Sequence, residues 1–137
     1  MKITICSSMA FSEKVLDVKK LLEMSGHEVF VSEFIDSYVG KDEKSKQALT
    51  IFHKNTKDAI REHWNKIKNS DAILVLNYDR KGIENYIGGN TLMEIGFAHV
   101  LDKKIFLLNP IPEIEYYKSE IEAIQPIILH GDLSKMV

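Results

Sequence analysis

Residues 71–77 read Asp-Ala-Ile-Leu-Val-Leu-Asn. The apolar stretch is short, unbroken and closed at both ends by a polar side chain. A strand with one wet face alternates apolar and polar residues. A strand apolar at every position has both faces covered. Helices must therefore pack above and below it. This run constrains the fold more than any other feature of the chain, because two-sided burial is the mark of a parallel sheet.

The flanking sequence fits that demand. Residues 2–7, 27–33, 103–109 and 126–131 are further strand candidates,. Between them lie helical patterns. Val15, Val18, Leu21 and Leu22 recur at helical spacing, with Ser12 placed to start that helix and Gly26 to end it,. Residues 44–69 carry Leu49, Phe52, Ile60, Trp64 and Ile67 on one expected face, with a break near Asn55,. A helix is expected over 90–102, and a proline-led one between Pro110 and Ile124. Strands alternating with helices predict an α/β three-layer sandwich with a five-stranded, mainly parallel sheet in the flavodoxin-like order 2-1-3-4-5. With 137 residues and no visible repeat, one domain over 1–137 is expected,.

Bulk properties narrow the function. A net charge of −2 with scattered lysines gives no electrostatic case for nucleic acid or membrane partners,. The single cysteine, Cys6, has no partner for an internal disulfide, and the N-terminal apolar run is too short and strand-like for a signal peptide,. A cytoplasmic location is the expectation. There is no GxGxxG, P-loop or GxSxG motif, and His53 and His63 do not share a helix face as a metal pair would,. No cofactor and no metal are expected.

Ligands bind such sheets at the carboxyl ends of the strands, at the switch point. Those ends carry Cys6, Ser7 and Ser8, then Asn77, Tyr78 and Asp79, then Asn109. The helix that opens on Gly88-Gly89-Asn90 reaches the same rim and holds one misfit, Glu94, among Leu92, Met93, Ile95, Phe97 and Ala98. Thr91 and Glu94 match a capping box, with Thr91 as N-cap and Glu94 reaching back to a backbone N–H. The other reading is a carboxylate on a face meant for burial, held by the helix N-terminus and usable as a nucleophile.

The segment SDAILVLN followed by GGNTLMEIGFAHVLDKKIFLL resembles the nucleoside 2-deoxyribosyltransferase family, including relatives that hydrolyse deoxynucleoside monophosphates. The resemblance rests on Asp71 opening the third strand, the Glu94, Gly96 and Ala98 motif, and Lys103-Lys104 before the fourth strand. It implies that Glu94 attacks the anomeric carbon and expels the base. The family usually carries an Asp on the helix before the third strand. His63 stands there in this sequence and is the candidate acid, its other reading being a solvated histidine beside Trp64. Members acting on monophosphates place a small hydroxyl residue where this chain has Gly88. Expected substrate contacts are Ser7, Ser8, Asn77, Asp79, Gly88, Gly89, Asn90 and Asn109, with Arg80 and Lys81 near a phosphate and residues 78–88 as a mobile lid. The expected activity is transfer or hydrolysis on (deoxy)nucleosides or their monophosphates. The alternatives are a noncatalytic nucleotide-binding module and an NAD-type glycohydrolase. A homodimer or larger assembly is implied as well, with the long helix, Tyr116 and Tyr117 as contacts.

Overall fold

A computed structural model describes residues 1–137. The strands are β1 (Lys2–Cys6), β2 (Glu28–Phe30), β3 (Ala72–Val75), β4 (Lys104–Leu107) and β5 (Ile127–Ile128). They form one sheet in the order β2-β1-β3-β4-β5, and every pairing is parallel. The helices are α1 (Ser12–Met24), α2 (Glu43–Thr56), α3 (Ala59–Lys68), α4 (Gly89–Val100) and α5 (Lys118–Ile124). The fold is the α/β sandwich that the two-sided burial of β3 requires.

Alternation along each strand divides the core in two. Ile3, Ile5, Ala72, Leu74, Phe106 and Leu108 meet Val15, Val18 and Leu22 of α1 on one face. Cys6, Ile73, Val75, Ile105 and Leu107 meet Ile67 of α3, Ile95 and Ala98 of α4, and Ile121 of α5 on the other. Both faces of β3 are thus occupied, and all of its residues are buried. Asp71 fixes the entry to β3, since its carboxylate accepts from the Lys2 amide at 2.8 Å.

Helix α1 ends as its glycine predicts. Gly26 takes φ +92°, the His27 amide donates to the Leu22 carbonyl and the Gly26 amide to that of Glu23, the paired closure of a Schellman motif. Ser12 does not cap this helix. It is the first residue inside, after a 3-10 turn (Met9–Phe11) whose own cap is Ser8, accepting from the Ala10 amide.

The helix expected over 44–69 is two helices. The break falls at Lys57 and Asp58, not at Asn55, and Asp58 adopts the left-handed conformation with φ 47°, which a short polar side chain tolerates. The buried face also differs from the apolar one. It holds Lys46, His53, His63 and Ile67, while Phe52 is 51% exposed. Polar partners explain this. Lys46 Nζ donates to Glu13 at 2.6 Å, and Tyr38 Oη lies 2.8 Å from His53 Nδ1. These bonds satisfy groups that would otherwise be costly to bury.

Candidate active site

The chain leaves β1 toward β2 on one side and returns through β3 to β4 on the other, so the switch point lies at the carboxyl ends of β1 and β3. Helix α4 enters here. Its N-cap is Gly88, and no side chain caps it. Thr91 lies inside the first turn and is buried, so the capping box is absent. Glu94 sits in the second turn on the inward face with Thr91, Ile95 and Ala98, where it is 6% exposed.

The neighbour that meets Glu94 is His63 of α3. Its Nε2 lies 3.4 Å from Glu94 Oε2, 3.1 Å from the Ile5 carbonyl and 3.7 Å from Cys6 Sγ. His63 is 8% exposed, so the solvated reading does not hold. Burial lowers its pKa to about 4, opposed by the hydrogen bond to Ile5, and burial raises that of Glu94 to about 8. Both groups are therefore uncharged at neutral pH, and their contact is not an ion pair despite its length. With Nε2–H committed to the Ile5 carbonyl, His63 meets Glu94 as a neutral neighbour at 3.4 Å and has no free Nε2 proton to give it.

Two connected hollows open from this point. The inner one, ≈ 50 Å³, is lined by Phe34, Tyr38, His53, Ala59, His63 and Glu94 among others. His53 stacks on Phe34 with ring centroids 4.3 Å apart. The break after α2 is what lets His53 and His63 face the same space from different helices. The outer one, ≈ 260 Å³, is polar and takes in Ser7, Ser8, Gly88, Gly89, Asn90 and Thr91. Ser7, Met9, Thr50, Lys54 and Asn90 border both. Four cations, Lys46, Lys54, Arg80 and Lys81, line the outer basin against one carboxylate, Glu43. The uncapped amides at the start of α4 add to that positive field.

Gly88 is favoured by a close approach rather than by its backbone angles. A Cβ there would stand 3.0 Å from the Tyr86 hydroxyl. Tyr86 in turn lies under Arg80, 5.0 Å from its ring centroid.

Ser7, Ser8, Gly88, Gly89 and Asn90 thus come together around the hollow beside Glu94. Asn77, Asp79 and Asn109 border neither hollow. Asn77 donates to the carbonyls of Asn109 and Pro110 and accepts from the Asn109 amide at 2.9 Å, while the Asn109 side chain donates back to the Asn77 carbonyl. Asp79 accepts from the Asn85 amide within its loop. These residues bind the ends of β3 and β4 and shape the loop. The loop itself is tied down: Arg80 bonds Glu43, the Tyr86 amide donates to the Tyr78 carbonyl, Tyr117 donates to the Ile87 carbonyl and Ile87 is buried. These bonds anchor the segment expected to serve as a lid. Spacing gave no sign of Phe34, Tyr38 or Lys46 at the site, because each arrives from a segment remote from α4.

Comparison with family models and with curated proteins finds no match. Among solved structures, a 2-deoxyribosyltransferase from Bacillus psychrosaccharolyticus is similar at TM-score 0.53 and 22% identity, over 83% of this chain and 76% of that one. A CMP N-glycosidase of Clostridium botulinum is similar at TM-score 0.52 and 20% identity, over 93% and 88%. A 2-desoxiribosyltransferase from Leishmania mexicana is similar at TM-score 0.51 and 14% identity, over 85% and 70%. The protein is an α/β sandwich with a candidate site at the β1/β3 switch point. More narrowly, it has the fold found in 2-deoxyribosyltransferases and a CMP N-glycosidase.

Proposed function

We propose that this chain cleaves the N-glycosidic bond of a nucleoside monophosphate, with Glu94 as nucleophile. The observation that carries the reading is one buried carboxyl group on the wall of an aromatic hollow that shares Ser7, Met9, Thr50, Lys54 and Asn90 with a cationic basin. A base fits the first chemistry, a phosphate the second, and the sugar lies between them. Net positive lining favours the monophosphate over the neutral nucleoside, which would gain nothing from Lys54, Arg80 and the start of α4.

In this scheme an ionised Glu94 Oε attacks the anomeric carbon as the carbon–nitrogen bond breaks. The base leaves with the bond electrons and takes up a proton. Water or a second base then attacks the same carbon and frees the carboxylate. His63 is a positioning residue, its ring fixed by the bond to the Ile5 carbonyl and packed 3.4 Å from Glu94 Oε2. The fold shared with a CMP N-glycosidase and with deoxyribosyltransferases supports this chemistry, and does not distinguish transfer from hydrolysis. We further propose a homodimer that buries the exposed apolar side of α2.

The test is incubation of the protein with a panel of deoxyribonucleoside and ribonucleoside monophosphates and the matching nucleosides, with free base followed by chromatography. Release from monophosphates is expected. No release from any member of the panel would leave a binding module as the remaining reading.

A further inference from the structure

Cys6, His63 and Glu94 form a second pattern, in which the glycosidase reading uses His63 and Glu94 but leaves Cys6 without a role. One ligand atom from each lies within 4.8 Å of the others, and all three residues are buried. They stand at the end of β1, on α3 and on α4, so regular structure and not a loop holds each donor in place. A thiol, an imidazole and a carboxylate are the donor types zinc prefers.

Two of the three spacings match as well. With Zn–S about 2.3 Å and Zn–N and Zn–O about 2.1 Å, tetrahedral donors stand about 3.6 Å apart for S and N and about 3.4 Å apart for N and O. The corresponding distances are 3.7 Å from Cys6 Sγ to His63 Nε2 and 3.4 Å from His63 Nε2 to Glu94 Oε2. The geometry points to a Zn²⁺ site built from Cys6, His63 and Glu94, whose occupation blocks Glu94. Three protein donors leave a fourth position for water, on the side where His63 and Glu94 border the inner hollow.

Charge favours the complex. A thiolate and a carboxylate cancel the dication, so a neutral unit replaces groups that are costly to ionise singly in this interior. On binding, the Cys6 thiol and the Glu94 carboxyl group release their protons to solvent. The His63 ring carries its proton on Nδ1 instead of Nε2, giving up the 3.1 Å bond to the Ile5 carbonyl. Zinc then holds the electron pair that Glu94 would offer to the anomeric carbon. This inhibition rests on the reading of Glu94 as nucleophile, whereas the binding does not.

Cobalt is the probe. The metal-free protein is titrated with Co²⁺ without substrate, and the thiolate-to-cobalt charge-transfer band is recorded. Cys6 is the chain's one cysteine, so a band saturating at one equivalent and bleached by Zn²⁺ reports this site alone. The wild-type result needs no variant, and absence of the band overturns the site. Glu94→Gln and His63→Gln, each checked for folding by circular dichroism, should weaken Co²⁺ binding by about tenfold or more. Unchanged binding in both overturns the three-donor geometry. His27→Asn controls for the pairing of the N-terminal amine with His27 Nδ1 at 3.1 Å and should leave the band intact; its loss there would overturn the assignment. Inhibition of base release by one equivalent of Zn²⁺ is expected, and full activity of the zinc-loaded protein overturns the blocking role. A band in a protein that releases no base upholds the metal site and removes the glycosidase reading.

Discussion

Glu94 Oε2 and His63 Nε2 lie 3.4 Å apart in the interior, one group on each of two packed helices. Their pKa values move in opposite directions for the same reason. Burial penalises whichever form is charged, so the acid goes up to about 8 and the base down to about 4,.

The pair makes stability depend on pH with a definite sign. Above its unfolded pKa the Glu94 carboxyl stays protonated in the folded state up to about pH 8. The folded chain then binds the extra proton, and stability falls as pH rises through that window. His63 acts oppositely between about pH 4 and its ordinary value of 6.5, where the unfolded chain binds more protons and stability rises with pH,. The two slopes oppose each other up to about pH 6.5, and above it the Glu94 slope remains. The wild-type urea midpoint should therefore fall from pH 6.5 to 8, and Glu94→Gln should flatten that decline. Equal slopes in the two proteins would show that Glu94 titrates normally.

The same protonation governs the rate. Only the ionised form of Glu94 attacks, so kcat/KM for base release should climb about tenfold per unit until pH approaches the Glu94 value of about 8,. Glu94→Gln keeps the shape of the side chain but is a very poor nucleophile. Its rate should fall by about 10³-fold or more. A pH-independent rate, or a glutamine variant near wild-type activity, would remove Glu94 from the chemistry.

The sheet was readable because burial leaves a periodic mark: Ala72–Leu76 demanded two covered faces, and the strand order followed. Glu94 was readable as a violation of that periodicity. Ser7, Ser8 and the Gly88–Asn90 turn were readable as strand and helix ends on one rim, and His63 through the family resemblance. Phe34, Tyr38 and His53 were not, because they converge on the site only after the strands set their register, and nothing in a local window encodes that meeting. The buried side of α2 was misread because Lys46 and His53 are buried through specific polar partners, which a count of apolar residues ranks as surface. Thr91 was misread because the turn at Gly88-Gly89 begins α4 earlier than a side-chain cap would.

Asn77 separates architecture from binding. Its side chain is fully buried and bonded to the Asn109 amide and to the carbonyls of Asn109 and Pro110. Asn77→Ala orphans those groups, each at a cost of about 1–3 kcal/mol. The unfolding free energy should drop by about 3 kcal/mol or more, measured by urea denaturation, while KM for the monophosphate stays within error. A raised KM at unchanged stability would return Asn77 to the substrate.

Self-association is expected from the surface of α2. Ile51 and Phe52 are half exposed on adjacent positions, and Tyr116 is 92% exposed. Aromatic groups of this kind anchor interfaces. Sedimentation at micromolar concentration should give a dimer, and Phe52→Glu should shift it to monomer without unfolding the chain. A wild-type monomer at that concentration would refute the assembly.

Lys54 tests the phosphate. Lys46 is held by Glu13, and Arg80 and Lys81 face Glu43, which leaves Lys54 as the basin's cation without a carboxylate partner. It borders the inner hollow as well, and an anion bound in the basin would be its main electrostatic contact. Lys54→Met keeps most of the stem and removes the charge. A lost charge-assisted bond costs about 1.5–3 kcal/mol, so kcat/KM for monophosphates should fall by about tenfold to a hundredfold. The corresponding nucleosides, lacking the anion, should be almost unaffected. The difference should shrink as ionic strength rises, because the basin is open to solvent. Equal losses for both substrate classes would place Lys54 at the sugar or base instead, and would withdraw the argument for a monophosphate substrate.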